Sequence, residues 1–159
     1  MRTKQKRPVR EMTGRQLFLR YTYACMEYAD ISPDKAARLR LIINDNSYPS
    51  LSIFQEHFPN ALCSYREWSR DIAQQASPKM RMWSRKSVST YWRNYHSHPT
   101  QPRQFQIDTW HGHVKAIEGP IITLQNGQRY MNVYGLPIAV GDQVYGHKQT
   151  IVEFESPIS

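Results

Sequence analysis

The sequence contains few cysteines and glycines, and these shortages exclude several classes of protein. Its two cysteines, Cys25 and Cys63, lie far apart and outside any C-x-x-C spacing. They predict reduced thiols in a cytoplasmic protein rather than a disulfide framework. The seven glycines form no phosphate-binding loop, and neither an H-E-x-x-H nor a G-x-S-x-G string occurs. We therefore predict a protein that is not an enzyme and that has no bound cofactor or metal.

Long hydrophobic runs are also absent. No apolar run reaches about 18 residues, which argues against a transmembrane helix. The basic residues 1–7 are not followed by the apolar segment of a secretory signal. Since the sequence has neither feature, we expect no membrane partner. The apolar share of 40% and the aromatic share of 12% are nevertheless sufficient for a packed core. The length of 159 residues predicts one domain or two very small ones.

Acidic residues are scarce in the first two-thirds of the chain. The whole sequence has 21 Lys and Arg against 13 Asp and Glu, a formal net charge of +8. Residues 1–104 hold 18 basic and 8 acidic residues, a balance of +10, whereas residues 105–159 hold 3 and 5, a balance of −2. This asymmetry predicts a polyanionic partner for the first part, with nucleic acid favoured over an anionic membrane surface.

Five helix starts follow a basic arm over residues 1–12 and predict a helical domain over residues 13–98. Each start has a hydroxyl side chain at the N-cap position, and three of them have capping-box spacing. These N-caps are Thr13, Ser32, Ser52, Ser64 and Ser84. The predicted helices are 13–30, 33–44, 52–58, 64–76 and 85–95. Pro59 is expected to stop the third of them.

After a proline-containing linker over residues 99–108, the hydrophobic period changes from 3.6 to 2. Five short strands over residues 109–156 predict a small β-barrel of the SH3-like or OB-like sort, packed against the helices. The chain is therefore predicted to be α+β, with an all-α unit followed by a five-stranded barrel.

One hairpin in this barrel has a strong turn signal. Asn126-Gly127 predicts a two-residue turn of the kind that matches strand twist. Such a turn would place Ile122 opposite Met131 and Thr123 opposite Tyr130.

Two helix pairs have the order of a helix-turn-helix, namely 33–44 with 52–58 and 64–76 with 85–95. The second pair has the better chemistry for DNA, although its connection over residues 77–83 is longer than the turn of a standard motif.

The last predicted helix has a polar face that suits nucleic acid. If Val88, Trp92 and Tyr95 turn inward, the opposite face presents side chains that contact phosphates and base edges. The predicted binding residues here and in the preceding loop are Lys79, Arg81, Arg85, Lys86, Ser89, Arg93 and Asn94. The alternative interpretation is an amphipathic helix whose charged side is merely solvated.

The N-terminal arm adds a cluster of basic residues. Short basic arms follow a minor groove or a phosphate backbone and add affinity with little sequence preference. The predicted contacts are Arg2, Lys4, Lys6 and Arg7, with Arg10 close by. A solubilising tail is the alternative.

His111 and His113 lie two apart on a predicted strand and therefore on one face. Such a pair binds a metal only if a third ligand converges. His96, His98 and His147 are candidates, but no spacing in the sequence brings them together. We therefore expect solvent-facing histidines, with a metal-dependent nuclease as the remote alternative.

The leading prediction is a DNA-binding regulatory or accessory protein. Its helical domain would contact duplex DNA, and its barrel would bind a protein partner, mediate self-association or sense a ligand. One alternative is RNA or single-strand binding, in which Tyr130, Tyr134 and Tyr145 stack on bases. Another is a non-enzymatic adaptor inside a larger complex.

Overall fold

A computed structural model describes residues 12–25, 32–96 and 109–157 of the chain. These residues form five helices followed by a five-stranded mixed sheet, which confirms the predicted α+β class. The predicted arm, apart from Met12, and the predicted linker lie outside the described residues. None of the helices in the described part is long and apolar enough to cross a membrane.

Side-chain caps define where three of the helices begin. Thr13, Ser32 and Ser84 accept hydrogen bonds from the backbone N–H three residues on, at 3.1, 3.3 and 3.1 Å. Each cap satisfies a donor that the first helical turn leaves unpaired. The helices are α1 (Gly14–Cys25), α2 (Pro33–Asn44), α3 (Leu51–His57), α4 (residues 59–76) and α5 (Arg85–Asn94).

Two predicted starts are wrong by a few residues. Helix α3 begins at Leu51 rather than after Ser52, and the Ser50 and Ser52 hydroxyls bond to each other at 2.7 Å. Helix α4 begins at Pro59, so Ser64 lies inside it and caps nothing. Proline is favoured at the first helical position because its missing N–H has no intrahelical partner there. The same Pro59 that ends α3 therefore opens α4.

Helix α4 contains an irregular turn. It runs as an α-helix over Pro59–Trp68, widens to a π-helix over Ser69–Ala73 and ends with Gln74–Ala76. A π turn shifts the following side chains around the helix axis.

Thr13 and Gln16 are one of the three pairs with capping-box spacing, and they form only half of that motif. Thr13 caps Gln16 N–H, but the Gln16 side chain does not return to Thr13. Its Nε2 donates instead to the carbonyls of Ile42, at 3.2 Å, and Ser47, at 2.6 Å. Gln16 is fully buried, so this pair of bonds fixes the end of α2 against α1.

The strands are β1 (Thr109–Glu118), β2 (Ile121–Leu124), β3 (Arg129–Met131), β4 (Gln143–His147) and β5 (Thr150–Glu155). Their order β1-β2-β3-β5-β4 closes into a ring. The closure between β3 and β5 is a single parallel bridge, Met131 to Thr150, so the sheet is not formally a barrel. We call residues 109–157 the β-ring.

The predicted register of the β2–β3 hairpin is wrong by one residue. Ile122 pairs with Tyr130, and Met131 pairs with Ile121. Leu124 N–H donates to the Gln128 carbonyl at 2.9 Å across three intervening residues, so the loop is one residue longer than predicted. Gly127 takes the left-handed position with φ +87°. Asn-Gly therefore serves here as the end of a three-residue loop with a glycine bulge.

The interior divides into two neighbouring cores. The helical core is aromatic, with Phe18 in contact with four other rings. The β-ring core is aliphatic and consists of Val114, Ile122, Leu124, Leu136, Val144 and Ile151. Strand β5 connects the two cores, because Ile151 points into the ring while Val152 packs against the helices.

Candidate functional site

Four exposed basic residues surround the start of α5. Lys79 and Arg81 lie in the loop over residues 77–84, and Arg85 and Lys86 form the first residues of the helix. A turn bond from Ser84 N–H to the Arg81 carbonyl, at 3.1 Å, holds the loop against the N-cap. We call Lys79, Arg81, Arg85 and Lys86 the cationic corner.

The cationic corner lies in an acid-free stretch of the sequence, and its residues form no ion pair with any other described residue. From residue 72 to residue 107 the sequence contains no Asp or Glu. Among the described residues, the ion pairs involve His57, Arg70 and Arg93, and none involves a residue of the cationic corner. Its charge is therefore not neutralised within the described part of the chain.

The other predicted residues of α5 lie on the side of the helix that faces the β-ring. The Ser89 hydroxyl donates to Glu153 Oε1 at 2.6 Å. Arg93 Nη2 lies 3.3 Å from the same oxygen, and its guanidinium sits 3.3 Å from the centre of the Tyr145 ring. Asn94 lines a cavity of about 270 Å³ between α5 and the β-ring. These three residues thus belong to the contact between the two parts of the protein.

Glu153 is the centre of that contact. Its side chain is 9% exposed, and the buried Tyr21 hydroxyl donates to its second carboxylate oxygen. Burial raises the pKa of Tyr21 well above its usual value, and the adjacent Glu153 carboxylate raises it further. Burial by itself lowers the pKa of Arg93, but Glu153, Tyr21 and Tyr145 together outweigh it and raise that pKa. Arg93 is accordingly held as a cation in a largely buried ion pair.

The arm residues Arg2, Lys4, Lys6 and Arg7 lie outside the described residues. Their predicted contact with nucleic acid stays a prediction.

His111 and His113 both lie on β1 and are exposed, as expected from their spacing. His111 Nδ1 is 3.2 Å from Gln143 Nε2 on the adjacent strand. Within the described residues, no third metal-binding side chain converges on this pair. The geometry gives no support to a metal-dependent nuclease centred on these two histidines.

The three tyrosines considered for base stacking make separate contacts. Tyr130 stacks on Trp110 with ring centres 3.5 Å apart. The Tyr134 hydroxyl donates to the Arg20 carbonyl at 2.6 Å, and Tyr145 lies under Arg93. No ring contact joins any two of the three within the part of the chain that is described, so they form no continuous stacking surface there.

The structure also brings together three residues that sequence spacing leaves apart. The Cys25 thiol and the imidazoles of His96 and His147 have ligand atoms that all lie within 4.8 Å of one another. Cys25 is the last residue of α1, His96 follows α5, and His147 is the last residue of β4. No local pattern could have revealed this cluster, because its members come from three elements separated by 71 and 51 residues.

Comparison with known proteins gives no relative from which function could be transferred. No protein-family model, no curated protein and no solved structure matches this chain.

Proposed function

We propose that this protein is a non-enzymatic DNA-binding protein, a regulatory or accessory factor that contacts duplex DNA through the cationic corner. The observation that carries the proposal is the set of four exposed, unneutralised cations within eight residues around a helix N-terminus. DNA presents closely spaced phosphates, and Lys and Arg side chains bind them while releasing counterions.

The position of the cations on α5 supports an anionic partner. The first turn of α5 contains no acidic residue and begins with Arg85 and Lys86. Cations at a helix N-terminus oppose the helix dipole, at a cost of about 0.3–1 kcal/mol each. The same dipole and the first backbone N–H groups attract a phosphate. A bound polyanion would therefore relieve an unfavourable arrangement that the isolated chain maintains.

The contact surface we propose is smaller than the whole polar face of α5. Ser89 and Arg93 bind Glu153, which leaves the first turn of α5 and the preceding loop to meet DNA. Recognition helices contact base edges mainly with their N-terminal residues, so a shallow approach is compatible with this geometry. We expect binding dominated by phosphates, with modest sequence preference.

The β-ring keeps its predicted role in partner binding, self-association or sensing. Its net charge is of the opposite sign, and it exposes Ile117, Met131 and Val140. Scattered exposed apolar residues are ordinary on a protein surface and identify no partner. Because the β-ring has a net negative charge, we assign the DNA contact to the helical part alone.

Fluorescence anisotropy with a labelled duplex, measured at several salt concentrations, tests the proposal. Each phosphate neutralised contributes about 0.9 to the slope of log K against log salt. The double variant Arg85→Ala/Lys86→Ala should therefore bind more weakly and reduce that slope by about 1.8. The matched control Lys115→Ala/Arg129→Ala removes two exposed cations from the β-ring and should leave affinity and slope unchanged.

Three outcomes would contradict the proposal. These are no duplex binding by the wild-type protein, duplex binding that is independent of salt, and a loss of affinity in the β-ring control as large as that in the α5 variant. Tighter binding to single strands than to duplex, with greater sensitivity to Tyr130→Ala than to the α5 change, would instead support the single-strand alternative.

A further inference from the structure

Three side chains from both parts of the protein converge beneath the contact between the helices and the β-ring. Cys25 Sγ lies 3.8 Å from His96 Nε2, and the His96 and His147 rings are 5.3 Å apart. Helix α1, the end of α5 and the end of β4 each supply one of them. The Lys148 ammonium donates to the Cys25 carbonyl at 2.6 Å, which holds the end of α1 against the β4–β5 turn.

His147 is the residue in this cluster that protein contacts leave unexplained. It is 1% exposed, and neither of its ring nitrogens has a hydrogen-bond partner. An imidazole buried in this way loses its hydration without compensation, and such groups are rare unless water or an ion completes them. A buried imidazole whose two nitrogens both lack a hydrogen-bond partner can offer one of them to a metal ion.

We propose that Cys25, His96 and His147 bind one zinc ion that joins the helical part to the β-ring. One thiolate and two imidazoles form a donor set that zinc prefers. In a tetrahedral zinc site with ordinary bond lengths, such donor atoms lie about 3.3–3.6 Å apart. The observed separations, 3.8 Å between Cys25 Sγ and His96 Nε2 and at most 4.8 Å among the three ligand atoms, are wider than that, so zinc would draw the three side chains together.

A cavity adjoins two of the three proposed ligands. A space of about 230 Å³ is lined by Cys25 and His96, with His57 among the residues of its wall. The His57 Nε2 atom is also buried without a hydrogen-bond partner. Space beside three protein ligands would leave room for a water molecule as the fourth ligand of the zinc.

Aromatic packing explains only part of the cluster. The His96 ring lies 4.0 Å from the Trp92 ring, which accounts for its orientation. Packing of that kind provides no partner for the nitrogens of His147. A metal ion would bind one nitrogen of His147 and also accounts for the thiol beside it.

Metal analysis of the full chain, purified without chelator and with any affinity tag removed, tests the proposal. The protein, incubated with zinc and desalted, should retain one zinc per chain. Cys25→Ser and His147→Gln should each lose the zinc. The matched controls Cys63→Ser and His111→Gln change an exposed cysteine and an exposed histidine, and should retain it.

Cobalt substitution keeps the proposal testable even if the ligand variants fail to fold. In the Cys63→Ser chain the remaining cysteine is Cys25. Cobalt added to that chain should therefore produce a thiolate-to-cobalt charge-transfer band that zinc removes. Absence of that band, absence of retained zinc in the wild-type protein, or equal loss of zinc in the two control variants would overturn the proposal.

Discussion

Replacing Glu153 with Gln should destabilise the contact between α5 and the β-ring. The Glu153 carboxylate accepts hydrogen bonds from Tyr21 and Ser89 and pairs with Arg93 at 3.3 Å. A glutamine of the same length keeps one acceptor oxygen and replaces the other with an NH2 group, which can only donate. It cannot neutralise the Arg93 guanidinium, which is 27% exposed.

The expected loss in free energy of unfolding follows from that geometry. Removing one partner of a fully buried ion pair costs about 3–5 kcal/mol, because a charge is left uncompensated. Arg93 is partly exposed and keeps a second contact with Glu155, at 3.5 Å. We therefore expect a smaller loss, about 2–3 kcal/mol. For a chain of this length that corresponds to a fall in Tm of about 4–12 °C.

Urea unfolding followed by circular dichroism measures this loss, and Glu155→Gln is the matched control. The Glu155 side chain is 58% exposed, so its pair with Arg93 should contribute less than about 1 kcal/mol. A Glu153→Gln protein within about 0.5 kcal/mol of wild type would refute the reasoning. Equal losses in the two variants would also refute it, because the difference in burial would then be irrelevant.

Three further predictions concern other parts of the molecule. Gly14→Ala should destabilise the protein by more than about 1 kcal/mol in the same urea assay, because the new Cβ would lie 1.9 Å from the Trp83 carbonyl oxygen. Burial raises the pKa of Tyr91 from 10.0 to about 12. The unfolded chain therefore ionises at a lower pH than the folded chain, and the free energy of unfolding should fall as pH rises above about 10. Unfolding curves at several pH values, with tyrosinate absorbance recorded in parallel, measure that fall. Tyr134→Phe removes the hydroxyl that donates to the Arg20 carbonyl and should lower the free energy of unfolding by about 1 kcal/mol. An unchanged thermal unfolding curve would contradict a stabilising role for that hydrogen bond.

Local sequence signals predicted the features that local physics controls. The N-caps at Thr13, Ser32 and Ser84 were confirmed because a hydroxyl and the backbone N–H three residues on are close in sequence. The change of hydrophobic period near residue 109 correctly separated helices from strands. Both signals depend on only a few neighbouring residues.

The predicted helix start and the predicted hairpin loop were wrong where the local sequence is compatible with two different structures. Ser64 has the spacing of a capping box, but Pro59 opens the helix earlier and leaves that serine in its interior. Asn126-Gly127 suits a two-residue turn, yet the glycine also fits the bulge of a three-residue loop. In both cases the choice depends on how the segment packs against the rest of the chain.

The sequence by itself determined the order of helices and strands, the confinement of positive charge to the first part and the acid-free stretch around α5. Tertiary structure alone decided which charges face solvent. It directed Arg93 toward Glu153, 60 residues away, while Arg85 and Lys86 stayed exposed on the same helix. It also gathered Cys25, His96 and His147. Periodicity fixes the face on which a side chain lies, but only packing between distant elements determines what that face meets.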